Sequence, residues 1–137
     1  MPLALKRLIG AWFGEGNTKL TNAKDSEHVR NSVEFVKEDA DIIKAKSRIL
    51  IIGRGQECSI ILDNKNISDK HCQIMEKRFD QWYIEDLGSE NGTYIGREKA
   101  LVRLVSGELK IEKGDKIILG EPDSRKVPAT YLEVLNA

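Results

Sequence analysis

From Ser32 to the end of the chain, short runs of Ile, Leu, Val and aromatic residues recur about every ten positions, most of them cut off by Gly, Asn, Asp or Pro. No convincing helix appears after residue 31, so the segment reads as strands. The texture is that of an all-β sandwich or barrel. The expected strands are Val33–Val36, Asp41–Lys44, Ile49–Ile52, Ser59–Leu62, His71–Glu76, Trp82–Asp86, Thr93–Ile95, Leu101–Leu104, Glu108–Ile111, Lys116–Leu119 and Thr130–Leu135. The turns between them supply either φ freedom or side chains that bond their own backbone. Ile49-Leu50-Ile51-Ile52 is apolar without alternation, which predicts a strand covered on both faces.

The start of the chain reads differently. Leu5, Leu8, Ile9 and Trp12 fall at i, i+3, i+4 and i+7, which predicts a short amphipathic helix over residues 3–13. Lys6 and Arg7 interrupt the apolar run, and it is far shorter than the ~20 residues needed to span a bilayer. Neither a secretory signal nor a membrane span is expected, and surface contact through residues 3–13 is the form of membrane association left open. Residues 14–31 carry only scattered apolar side chains and read as a linker. The expected organisation is a non-β tail, 1–31, ahead of a sandwich domain, 32–136.

At 137 residues the chain has room for one core. Its 40% hydrophobic and 32% charged residues describe a folded globular protein, and the formal net charge of zero supplies no field to draw it to nucleic acid. Cys58 and Cys72 are too few for a disulfide framework; two small buried thiols in a reducing, cytoplasmic setting is the plain reading, and a single bridge between them stays open. No Cys/His cluster of metal-ligand spacing, Gly-rich phosphate loop or nucleophile–base pair is present, so neither a cofactor nor a catalytic residue is expected.

Four marks lie in order, each in or beside an expected turn: Gly53-Arg54, Ser68-Asp69-Lys70-His71, Asp86-Leu87-Gly88-Ser89-Glu90-Asn91-Gly92-Thr93, and Gly114-Asp115 running on to Leu119-Gly120. Together they resemble the forkhead-associated (FHA) domain, a reader of phosphothreonine peptides. The resemblance spans roughly residues 32 to 136 and implies a two-sheet sandwich of about eleven strands. It implies that Arg54 and Ser68 contact phosphate, Arg54 through a planar donor fork and Ser68 through its hydroxyl. It implies that Asn91 contacts the peptide backbone, and that Gly53, His71, Gly92 and Thr93 shape the loops. Asn91 before Gly92 equally suits a positive-φ turn, and Ser68 equally suits a turn that bonds its own backbone. Trp82, Tyr83 and Tyr94 are read as packing residues, because no basic stripe accompanies them.

Lys65, Asp69, Lys70 and Glu90 stand at the expected rim of the pocket. A carboxylate 4–6 Å from a phosphate dianion costs on the order of 1 kcal/mol even when screened. The same sandwich therefore carries two readings. One is a non-enzymatic adaptor for phosphothreonine partners downstream of a Ser/Thr kinase. The other is a degenerate scaffold that binds partners without phosphate, docked through residues 1–31. Thr18 and Thr21 add a third element, a self-phosphorylation switch that folds back on the pocket.

Overall fold

The computed structural model describes residues 3–8, 42–122 and 129–137, and among them eleven strands build two sheets. They are β1 (Ala4–Leu8), β2 (Ile42–Lys44), β3 (Ile49–Gly53), β4 (Ile60–Ile61), β5 (Cys72–Arg78), β6 (Gln81–Asp86), β7 (Thr93–Arg97), β8 (Ala100–Arg103), β9 (Glu108–Lys110), β10 (Lys116–Leu119) and β11 (Thr130–Asn136). One sheet has the order β2-β1-β11-β10-β7-β8 and the other β4-β3-β5-β6-β9. Ten of the expected strands reappear with small shifts at their ends; Val33–Val36 lies outside the described residues.

The eleventh strand corrects the reading of the N-terminus. Residues 4–8 are extended rather than helical, and β1 lies between β11 and β2, pairing antiparallel with both. Leu3 and Leu5 are fully buried, so these side chains belong to the sandwich core. Their period is two, that of a strand with one face inward. The segment is therefore β in its described part, and Leu5 is not available to a membrane surface. The remainder of the expected helix, residues 9–13, and the linker lie outside the described residues.

Between the sheets, Ile52, Ile74, Ile84, Ile95, Ile117 and Leu132 are excluded from water together with Leu3 and Leu5. Each such side chain contributes roughly 1.5–3 kcal/mol by leaving water. Ile118, Ala129 and Tyr131 form a second buried cluster, with Leu8 and Tyr94 packed against it. Ile118 alternates with the core residues Ile117 and Leu119, which puts this cluster on the other face of the six-stranded sheet.

The Gly114-Asp115 mark fastens the end of the sandwich where β7 finishes. Asp115, 1% exposed, accepts two 2.8 Å hydrogen bonds from Arg97 and a third from the Glu112 N–H. The Asp115 carbonyl accepts from Val134 N–H, and Arg97 also donates to the Lys110 carbonyl. A buried carboxylate is tolerated here because a bidentate cation and backbone donors satisfy it. This turn holds β7, β9, β10 and β11 in register, while the opposite end of the sandwich carries the other three marks.

Candidate functional site

The site begins with a close backbone approach. Gly53 ends β3, and a Cβ built on it would stand 2.1 Å from the Asp69 carbonyl oxygen, so only glycine lets the two loops meet. Arg54 N–H donates to Ser68 O at 3.0 Å and Gly55 N–H donates to Asp69 O at 3.1 Å. These bonds zip the loop after β3 to the loop before β5. Cys58 Sγ adds a 2.9 Å contact to the same Asp69 carbonyl. The Arg54 side chain projects into solvent, and among the described residues its guanidinium makes neither a hydrogen bond nor an ion pair.

His71 is the bolt between this pair of loops and the loop before β7. It is fully buried. Its Nδ1 accepts the Ser68 N–H at 3.0 Å, and its Nε2 lies 2.9 Å from Gly92 O. An acceptor at Nδ1 leaves the ring proton on Nε2, which donates to the Gly92 carbonyl. The ring is thus neutral and uses both nitrogens. Its pKa is pushed below the ordinary 6.5 by burial, against which the Gly92 bond and the Asp86 charge work in the other direction.

A consequence for stability follows from that shift. Below about 6.5 the unfolded chain takes up a proton that the buried ring resists, so the stabilisation is complete above 6.5 and is lost as pH falls toward the lower folded value. The denaturation midpoint should fall on acidification from pH 7.5 into that window. An NMR titration placing the His71 ring at or above its ordinary value would contradict the assignment.

Ser68 offers its backbone N–H, not its hydroxyl, to His71. The hydroxyl instead accepts Glu90 N–H at 3.0 Å, which leaves its own proton free to point outward. A nucleophile–base contact is therefore not made between Ser68 and His71.

The loop before β7 is organised by Asp86, a residue to which sequence reasoning gave no role. Its carboxylate accepts from Gly88 N–H and Ser89 N–H, both at 2.9 Å, from Ser89 Oγ at 2.5 Å and from Thr93 Oγ1 at 2.6 Å. Burial works to raise its pKa, but these donors outweigh burial and hold the carboxyl below its ordinary value. Ser89 Oγ then accepts the Gly92 N–H at 3.0 Å. Gly92 has φ of 94°, so the turn needs glycine there. An Asp two residues before a Gly is a side-chain-to-backbone turn signal, and it could have drawn attention to Asp86.

Asn91, held on this loop, reaches the loop before β5. Its Nδ2 donates to Asn66 O at 3.2 Å and lies 3.4 Å from Asn66 Oδ1. Asn66 in turn lies against Gly120, whose N–H donates to the Gly92 carbonyl. Asn66 is a second residue that the sequence pattern did not single out.

Arg54, Ser68 and Asn91 are thus brought to one end of the sandwich on three loops. Gly53, His71, Gly92 and Thr93 are all buried beneath them and hold those loops together. Lys65, Asp69, Lys70 and Glu90 are exposed around them. Neither the Asp69 nor the Glu90 carboxylate captures Arg54. Trp82 is buried in the core, while Tyr83 and Tyr94 lie half-buried beneath the cations of Lys77 and Arg103. Cys58 and Cys72 are buried free thiols. Among the described residues no group of three or more His, Cys, Asp or Glu could hold a metal ion, and no helix is long and apolar enough to cross a membrane. Thr18 and Thr21 lie outside the described residues.

Comparison with known proteins agrees with this architecture. The FHA domain family matches residues 50–120. The FHA domain-containing protein FhaB of Mycolicibacterium smegmatis is 33% identical over 72 residues, 53% of this chain and 43% of FhaB, so the match spans less than half of that relative. The FHA domain of CT664 from Chlamydia trachomatis superposes over 100% of this chain and 99% of its own, with a TM-score of 0.63 at 19% identity. The N-terminal FHA domain of S. cerevisiae Rad53p, solved in complex with a phosphothreonine peptide, covers 71% of this chain and 85% of its own, with a TM-score of 0.58 at 20% identity. With the glycine approach, the buried histidine and the Asn-Gly-Thr loop all in place, the chain belongs to the FHA domain family.

Proposed function

We propose that this chain is a non-enzymatic adaptor that binds phosphothreonine-containing proteins in Ser/Thr kinase signalling in the cytoplasm. The observation that carries the reading is an unspent Arg54 guanidinium on a residue whose backbone N–H is tied to the carbonyl of Ser68. A cation and a hydroxyl proton held on adjoining loops suit a phosphate, whose oxygens accept charge-assisted bonds. Asn91 sits one loop away, with an amide able to donate to and accept from a peptide backbone. The exposed Asp69 and Glu90 leave Arg54 free, which favours a working reader over a degenerate scaffold. The relative solved with a phosphothreonine peptide supports the same choice of ligand. Calorimetry with matched phosphorylated and unphosphorylated peptide pools tests it: binding confined to the phosphorylated pool is expected, and equal binding, or none to either, sinks it.

Strand registry favours one elaboration. Leu8 pairs with Tyr131, which follows through Ile118 to Tyr94, and Ile42 pairs with Lys6. β1 thus ends, and β2 begins, toward the end of the sandwich that holds Arg54, and Thr18 and Thr21 fall between them in the sequence. A phosphothreonine at either position would meet the pocket at an effective concentration on the order of mM. Phosphorylation at Thr18 or Thr21 would then compete with external peptide, and the competition would vanish in a Thr18→Ala, Thr21→Ala double variant. Unchanged peptide affinity after stoichiometric phosphorylation would remove this switch. Truncation of residues 1–31 is not a clean alternative test, because it deletes β1.

A further inference from the structure

Arg103 closes β8 beside the loop of Asn91, apart from the Arg54, Ser68 and Asn91 set. It is paired across the β7–β8 ladder with Tyr94, and its guanidinium lies over the Tyr94 ring at 5.6 Å from the centroid. Nε and Nη2 stand 3.0 and 3.2 Å from the point where Gly92 would carry a Cβ. The side chain is therefore held in one place, above the residue that follows Asn91, by a ring below it and a bare glycine beside it. It is also unspent: among the described residues no carboxylate pairs with it. Residues 100–105, Ala-Leu-Val-Arg-Leu-Val, contain no acid, and its neighbour Val102 and nearby Val105 are exposed.

We propose that Arg103 forms a second anionic subsite, which takes an aspartate or glutamate side chain from the peptide whose phosphothreonine occupies Arg54 and Ser68. This inference rests on the phosphothreonine reading and adds a specificity to it. An arginine already oriented by an aromatic face loses little freedom when it bonds a carboxylate, and its fork suits both carboxylate oxygens. Because the phosphate is met by other loops, the acidic residue sits at one fixed offset from the phosphothreonine. Subsite and phosphate contribute separately.

The test is an acidic scan. A phosphothreonine peptide of otherwise neutral composition carries Asp or Asn at each of three positions on either side, and affinities are measured by fluorescence anisotropy. With the wild-type chain, Asp should bind about three- to tenfold tighter than Asn at one position, a range set by exposed but pre-organised ion pairs. Arg103→Gln should abolish that difference while retaining the preference for phosphorylated over unphosphorylated peptide and a melting temperature within a few degrees of wild type, the small drop reflecting the lost contact with Tyr94. Arg103→Lys should restore part of it. A preference that persists in Arg103→Gln, or no acidic preference at any position while phosphate dependence holds, overturns the subsite alone. Loss of phosphate dependence in the wild-type chain overturns the underlying reading and the subsite with it.

Discussion

Replacing Arg54 by alanine should weaken binding of a phosphothreonine peptide by roughly 30- to 700-fold while leaving the fold untouched. The magnitude follows from the two charge-assisted hydrogen bonds that a guanidinium fork can place on one phosphate, together worth about 2–4 kcal/mol after desolvation. The fold is spared because only the backbone of Arg54 is structural. Its N–H holds Ser68 O at 3.0 Å, and alanine keeps that bond. Among the described residues the side chain makes no ion pair whose loss would destabilise the chain. Calorimetry against the phosphorylated peptide, with a thermal melt alongside, checks both halves. Unchanged phosphopeptide affinity would place the phosphate elsewhere. A large drop in melting temperature would show that the guanidinium is structural.

Ser68 presents a contrast. Its hydroxyl already accepts Glu90 N–H, so its removal would strip both a donor to phosphate and a tie between two loops. A loss of affinity in a Ser68 variant would therefore mix ligand binding with loop order. Arg54 is the cleaner probe because its two roles sit on different atoms.

Most of the sandwich could be read from the chain because strands announce themselves locally. Turn residues punctuate it at short intervals, and Trp82 and Ile84 alternate with half-buried neighbours in the period of a strand. The N-terminus could not be read that way. Leu5, Leu8, Ile9 and Trp12 satisfy a helical period, while Leu3 and Leu5 satisfy a strand period over too few residues to compete. What decides between them is β11, from the far end of the chain, which offers Leu132 and Val134 to complete the same core. Pairing over that separation leaves no local trace. The site divides in the same manner. Arg54, Ser68, His71 and Asn91 sit in recognisable marks, but their supports do not. Asp86 was visible as part of a turn, yet the convergence of four donors on it appears only once the loop is folded. Arg103 owes its place to the Tyr94↔Arg103 register of the β7–β8 hairpin, which composition cannot supply.

The most damaging small substitution should be Gly53→Ala. The added methyl would stand 2.1 Å from Asp69 O, 2.7 Å from Asp69 C and 2.9 Å from Ser68 O, and backbone atoms cannot swing aside as a side chain would. To make room, the loop before β5 must retreat. That movement stretches Arg54 N–H to Ser68 O and Gly55 N–H to Asp69 O, and it pulls Ser68 N–H from His71 Nδ1. Overpacking a buried position costs about 1–3 kcal/mol, and two or three weakened bonds at about 1 kcal/mol each bring the expected loss to about 3–6 kcal/mol. In a chain of this size that corresponds to a melting temperature lower by roughly 10–20 °C. Phosphopeptide binding should fail as well, since Arg54 and Ser68 would no longer be held together. Gly107→Ala supplies the contrast. Gly107 has φ of 82° but nothing within 4 Å of an added Cβ, so only backbone strain of about 1–2 kcal/mol is expected, with binding intact. If the two variants melted alike, the contact between Gly53 and Asp69 would not be what fixes the distance between Arg54 and Ser68.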